Sequence, residues 1–149
     1  MTHGARFDCE LHRSLAATFE AVEEFLVEFH QHSQAMRERV NCFEAELLVR
    51  EALTNAVLHG CGADPRKHVR CLLRLRGKRL FIAVADEGLG FDWRAARAKS
   101  AMPSDCSGRG LQILYRYADQ VRFNERGNLV TMIKHFEKGN CHDTGNKGR

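Results

Sequence analysis

Val69, Cys71, Leu73 and Leu75 alternate with Arg70, Leu72, Arg74 and Arg76, and the apolar run Leu80-Phe81-Ile82-Ala83-Val84-Ala85 follows directly after Gly77-Lys78. A period of two describes a strand with one buried face, and a tight two-residue turn returns the chain antiparallel beside it. Residues 67–76 and 80–85 are therefore expected to form a hairpin. Such a hairpin needs apolar cover on one face, which narrows the architectures open to the rest of the chain.

Helical periodicity supplies that cover. Leu15, Phe19, Val22, Leu26 and Phe29 recur at spacings of four and three, with Glu20, Glu23, Glu24 and Glu28 off the stripe, predicting a helix over about 15–39. Asn41 and Glu44 have the spacing of a capping box, so a second helix is expected to run to Leu58 or His59. Gly60 would end it, and Gly62 and Pro65 forbid its continuation. Phe7, Cys9 and Leu11 alternate with polar neighbours as a short first strand. A third helix is expected from Gly108 to about Tyr117. A closing hairpin, 120–124 and 129–136, would turn at Arg126-Gly127-Asn128. Residues 91–107 read as a loop with a short helix at 93–98. The order β-α-α-β-β-loop-α-β-β predicts an α+β two-layer sandwich. Residues 1–6 and the polar stretch 137–149 are expected as tails on one domain, 7–136.

Composition bounds the function. With 149 residues, 44% hydrophobic and 28% charged, the chain has room for one core and no second ordinary domain. The net charge of +4 is mild and acids interrupt the bases, so no nucleic-acid stripe is indicated. No apolar run approaches the roughly 20 residues of a membrane span. The N-terminus lacks the apolar core of a secretory signal, giving a cytoplasmic expectation. Cys9, Cys42, Cys61, Cys71, Cys106 and Cys141 include no CxxC pair and mostly fall in apolar patterns, as buried free thiols do. His30/His32 and Cys141/His142 lack the spacing of a zinc site.

Three segments carry chemistry. Glu51 and Asn55 lie one helical turn apart on the same face, His59 extending the stripe, amid Leu47, Leu48, Ala52, Leu53, Ala56 and Val57. A partly buried polar pair needs compensation, because each unmet hydrogen bond costs about 1–3 kcal/mol. Asn55 offers the oxygen donor that Mg²⁺ prefers, and Glu51 can orient or deprotonate an attacking hydroxyl. Asp86 ends the apolar strand and precedes Glu87-Gly88-Leu89-Gly90. Its carboxylate matches the amino donor of an adenine, while Gly88 and Gly90 let the backbone pass close to a purine. Ser107-Gly108-Arg109-Gly110-Leu111 opens a helix whose free N–H groups suit phosphate. Each segment also has an ordinary reading: an exposed Glu with a capping Asn, a β-turn, and a glycine linker. A P-loop, a dinucleotide fingerprint and a Gly-x-Ser-x-Gly elbow are all absent. Trp93 and Phe91 are expected to close a pocket lip or pack under the loop. Neither Cys106 nor His12 is marked as catalytic.

Taken in order, Glu51-x-x-x-Asn55, Asp86-x-Gly88-x-Gly90 and Gly108-x-Gly110-Leu111 resemble the N, G1 and G2 boxes of the GHKL (Bergerat-fold) ATPases. The stretch Glu51-Ala52-Leu53-Thr54-Asn55-Ala56-x-x-His59-Gly60 is most similar to the anti-sigma-factor serine/threonine kinase group. That resemblance implies a mixed, mostly antiparallel sheet covered on one face by helices, with ATP as ligand. It implies Mg²⁺ on Asn55, an acceptor hydroxyl assisted by Glu51, and adenine held by Asp86. Gly88 and Gly90 would shape the base pocket, and Ser107, Gly108, Arg109, Gly110 and Leu111 would meet the nucleotide. Thr131 matches a position that supports the adenine-binding Asp. The implied partners are a STAS-domain antagonist, phosphorylated on serine or threonine, and a sigma factor or other regulator that is sequestered. A homodimer without direct nucleic-acid or membrane binding is also implied. A nucleotide-gated binding module keeps the same pocket without the kinase step. The ATPase half of a sensor histidine kinase would need a dimerisation hairpin for which the chain has no room.

Overall fold

Gly77 takes φ +60° and turns β2 (His68–Arg76) straight into β3 (Arg79–Asp86), with Arg76 opposite Arg79 and Val69 opposite Asp86. The computed structural model describes residues 9–32, 42–90, 92–95 and 109–136. β1 (Cys9–Ala16) pairs with β2, while β5 (Leu129–His135) pairs with both β3 and β4 (Gln120–Phe123). The sheet order is β1-β2-β3-β5-β4. The expected mixed sheet is antiparallel throughout among the described residues, because every neighbouring pair runs in opposite directions.

The register lines up Leu11, Leu73, Ile82 and Met132 across four strands on one face, and all four are buried. Helix α1 (Phe19–Gln31) covers that face with Val22, Phe25, Leu26 and Phe29. Helix α2 (Cys42–Asn55) adds Leu48, Val49 and Leu53, and α3 (Arg109–Tyr117) adds Leu111 and Leu114. Full burial of each such side chain contributes about 1.5–3 kcal/mol. The opposite face of the sheet carries no helix among the described residues.

Three expected boundaries shift, each for a local reason. Leu15 is not on a helix: β1 extends to Ala16, with Leu15 opposite Val69. The helix waits for Thr18, whose extended backbone and hydroxyl cap Ala21 N–H at 3.1 Å. The 93–98 helix is seen as a single turn at 93–95, the remainder lying outside the described residues. The second helix keeps α geometry only to Asn55, and residues Ala56–Gly60 form a π-helical turn closed by Cys61 N–H on the Ala56 carbonyl at 2.9 Å. Its capping residue Asn41, the tails and Gly108 lie outside the described residues.

Cys9, Cys61 and Cys71 are buried and outside any disulfide, and burial pushes the Cys71 thiol up to about 12. Among the described residues no group of three His, Cys, Asp or Glu side chains could hold a metal ion. No described helix is long and apolar enough to cross a membrane.

Candidate functional site

The π-helical turn decides the geometry at one end of the site. π-bulges are frequent at functional sites because the wider turn re-aims the chain. In this protein the turn brings Gly60 against the end of β3. A Cβ on Gly60 would collide with the Asp86 carboxylate, and a Cβ on Gly88 would collide with the Gly60 carbonyl. Asp86 is thus wedged between two glycines that only hydrogen side chains allow. Its Oδ1 accepts Gly88 N–H at 2.8 Å, and its own N–H donates to the Asn128 carbonyl at 2.9 Å. Burial raises the pKa of Asp86, opposed by the Gly88 N–H and by the charge of Lys67.

At the other end, Glu51 and Asn55 are half-buried on α2, and the first turn of α3 approaches them. A Cβ on Gly110 would stand 2.7 Å from Glu51 Oε2 and 3.3 Å from Asn55 Oδ1. The two side chains therefore converge on one point at the start of α3, and glycine is what permits the approach. Neither makes a side-chain hydrogen bond among the described residues. Burial raises the pKa of Glu51, with Arg50 pulling it partly back. Arg50 itself is engaged on the far side with Glu23 and Glu46.

A narrow cleft joins the two ends. Ala52, Asn55 and Ala56 form one wall, Val84 and Asp86 the floor, and Leu114 with Phe123 and residues 127–130 the other side. The enclosed space is about 10 Å³, room for roughly one water molecule.

The sequence-derived residues divide as follows. Glu51, Asn55 and Gly110 come together, as do Asp86 and Gly88. Gly90 takes φ +87° and packs under the Arg126 carbonyl, joining the loop after β3 to the β4–β5 turn. Leu111 points into the core rather than the cleft. Ser107, Gly108 and the Arg109 side chain lie outside the described residues, as does Phe91. His59 is exposed. Thr131 is a correction: it sits opposite Ala83, whereas Val130 and Val84 share the face of Asp86. Alternation along β5 puts its side chain on the other side of the sheet, so it does not support Asp86.

Sequence reasoning gave Gly60 as a helix stop and the last residue of the family-like stretch, and did not single it out as a site residue. It also missed Phe123, Asn124 and Asn128. The Asn124 carboxamide oxygen accepts the Asn128 and Leu129 N–H groups at 3.0 and 3.3 Å, fixing the turn that backs Asp86. Two asparagines flanking a Glu-Arg-Gly turn were the available signal. Trp93 stacks on Phe123 with centroids 5.5 Å apart and donates its indole N–H to the Asn124 carbonyl at 3.0 Å.

The residues present fit a magnesium nucleotide. Asp86 is an acceptor for an amino donor, and Asn55 offers a carboxamide oxygen to a hard cation.

Comparison with known proteins agrees. Residues 12–134 match the family model of the histidine kinase-like ATPase domain. The chain is 30% identical to the anti-sigma F factor of Bacillus subtilis (strain 168), over 64% of this chain and 70% of that protein. It is 31% identical to that of Geobacillus kaustophilus (strain HTA426), and 28% to that of Anoxybacillus flavithermus (strain DSM 21510 / WK1), each over the same shares. ATP is the ligand such a domain implies. From the matched span and the convergence of its motifs on one cleft, the chain belongs to the histidine kinase-like ATPase domain family.

Proposed function

We propose that this protein is an ATP-dependent serine/threonine-protein kinase of the partner-switching, anti-sigma-factor type. The observation that carries the reading is that Asn55, which meets Glu51 and Gly110, and Asp86, which is held against Gly60 and Gly88, line one cleft. Asp86 would accept the amino group of adenine, a hydrogen bond contributing about 1.5–3 kcal/mol when desolvated. Asn55 would ligate Mg²⁺ through its carboxamide oxygen. When bound, the ion would offset the charge that builds on the transferring phosphoryl group.

Glu51 would orient a protein hydroxyl and take its proton. Desolvation makes it a stronger base than a solvated carboxylate, which favours that role near neutral pH. Backbone N–H groups at the start of α3 would face the phosphates without any P-loop lysine. The acceptor would be a serine or threonine of a STAS-domain antagonist, and the sequestered partner a sigma factor or other regulator. The names of the anti-sigma F factor relatives support that class. A homodimer and a cytoplasmic location belong to the same proposal.

The test is incubation with γ-labelled Mg²⁺-ATP and STAS-domain proteins from the same cell. Label on a serine or threonine, lost in Glu51→Gln, is the expected result. ATP-dependent binding of a partner with no label would identify a nucleotide-gated binding module instead.

A further inference from the structure

Trp93, the single tryptophan of the chain, stands behind the cleft lining rather than in it, yet it reaches the cleft by two routes. Its ring stacks on Phe123, with the planes 15° apart and the centroids 5.5 Å apart. The Arg94 guanidinium lies over the same indole, 4.3 Å from the ring centroid, a cation–π contact that adds to the hold. Asp92 fixes the local turn, its Oδ1 accepting the Ala95 N–H at 3.1 Å.

The first route is apolar. Phe123 lines the cleft beside Leu114 and Val130, at the last position of β4. A flat aromatic partner behind such a ring restricts how far it can tilt. The second route is polar. The Asn124 carbonyl accepts the indole N–H at 3.0 Å and the Gly127 N–H at 3.1 Å, which occupies both of its lone pairs. The Asn124 carboxamide donates to Asn128 Oδ1 and accepts the Asn128 N–H, and the Asn128 carbonyl receives the Asp86 N–H. Hydrogen bonds thus run from the indole to the backbone of Asp86 through Asn124 and Asn128. Trp93 is only half-buried and its neighbours Asp92 and Arg94 are exposed, so the stack adds little to the core. What it stiffens is the wall of the cleft.

We infer that Trp93 is a positioning residue for the base end of the nucleotide, holding Phe123 and the 124–128 turn in place beside Asp86. The inference rests on the reading of the cleft as an ATP site. Glu51 and Gly110 belong to α2 and α3, outside this series of bonds, so Trp93 acts on base binding and not on the phosphate end.

Calorimetry on the full chain with Mg²⁺-ATP and Mg²⁺-ADP, joined to tryptophan emission, tests this. Trp93→Ala should weaken both nucleotides by the same factor, about 10-fold. Trp93→Phe keeps a ring on Phe123 but has no N–H for Asn124, and should restore binding to within about 3-fold of the unmodified chain. Emission of the unmodified chain should change on saturation with either nucleotide, because what presses on Phe123 alters the ring stacked behind it. If Trp93→Ala does not fold, Trp93→Phe and the emission change carry the test. Unaltered affinity in Trp93→Ala, a loss confined to ATP, or emission that stays constant at saturation would overturn the inference while leaving the ATP site standing. No heat from either nucleotide with the unmodified chain would remove the ATP site and the inference together.

Discussion

The two ends of the cleft are built to different degrees. At the Asp86 end the carboxylate is already fixed, by one N–H bond from Gly88, by its backbone bond to Asn128, and by glycines above and below. At the Glu51 end the polar groups converge but have no hydrogen-bond partner among the described residues. One end is preorganised by the sheet and a π-turn. The other is brought together only by the close approach of Gly110. The contrast bears on the proposed function: if that reading holds, base recognition at Asp86 and phosphoryl chemistry at Glu51 should be separable by mutation.

The sharpest way to break that separation is Glu51→Gln. If Glu51 acts only on the hydroxyl, transfer should fall by about 10²–10⁴ while calorimetric Mg²⁺-ATP affinity changes little. Equal loss of affinity and transfer would merge the two ends. Asp86→Asn should do the reverse at the other end. It should weaken ATP binding by about 10–100-fold, measured by the same titration, because a carboxamide presents an N–H₂ where adenine also donates. Gly60→Ala probes whether the π-turn is what places Asp86. The added methyl should push the carboxylate aside and lower ATP affinity about 10-fold, without altering the fold by far-ultraviolet circular dichroism. Unchanged affinity would mean the turn yields and the wedge is unimportant.

The smallest expected effect is on stability. Asp86 and Glu51 both have pKa values raised by burial. As pH rises above the ordinary carboxylate values, the unfolded chain releases these protons before the folded chain does. Their contribution to folding therefore falls as pH rises through the interval up to their folded values, and the penalty is complete above it. Asp86→Asn or Glu51→Gln should raise the apo-protein Tm by about 1–3 °C at neutral pH. The gain should vanish as pH approaches the unfolded carboxylate range. A gain that persisted there would point to packing rather than charge.

The strands were readable from alternation alone, and the hairpin at Gly77 is where the turn chemistry put it. The four-and-three spacing misled at Leu15, because an apolar residue on β1 happens to precede Phe19 by four. The polar pair on α2 was legible because two polar groups in an apolar helix demand a reason. The π-turn was not, since a one-residue widening leaves no trace in hydrophobic period. Nor was the face of Thr131: alternation on β5 is blurred by Leu129, Ile133 and Thr131 all lying on the same side as Ala83 and Ala85. Asn128 and Gly60 enter the site only through long-range backbone contact, which no local pattern encodes.

Titration calorimetry with Mg²⁺-ATP and Mg²⁺-GTP tests the central claim most directly. Asp86 accepts, so it should prefer the amino group of adenine over the carbonyl that guanine places there. Saturable heat with ATP, little with GTP, and loss of the ATP signal in Asp86→Asn are the predicted results. No heat with ATP, or equal heat with both nucleotides, would contradict the account.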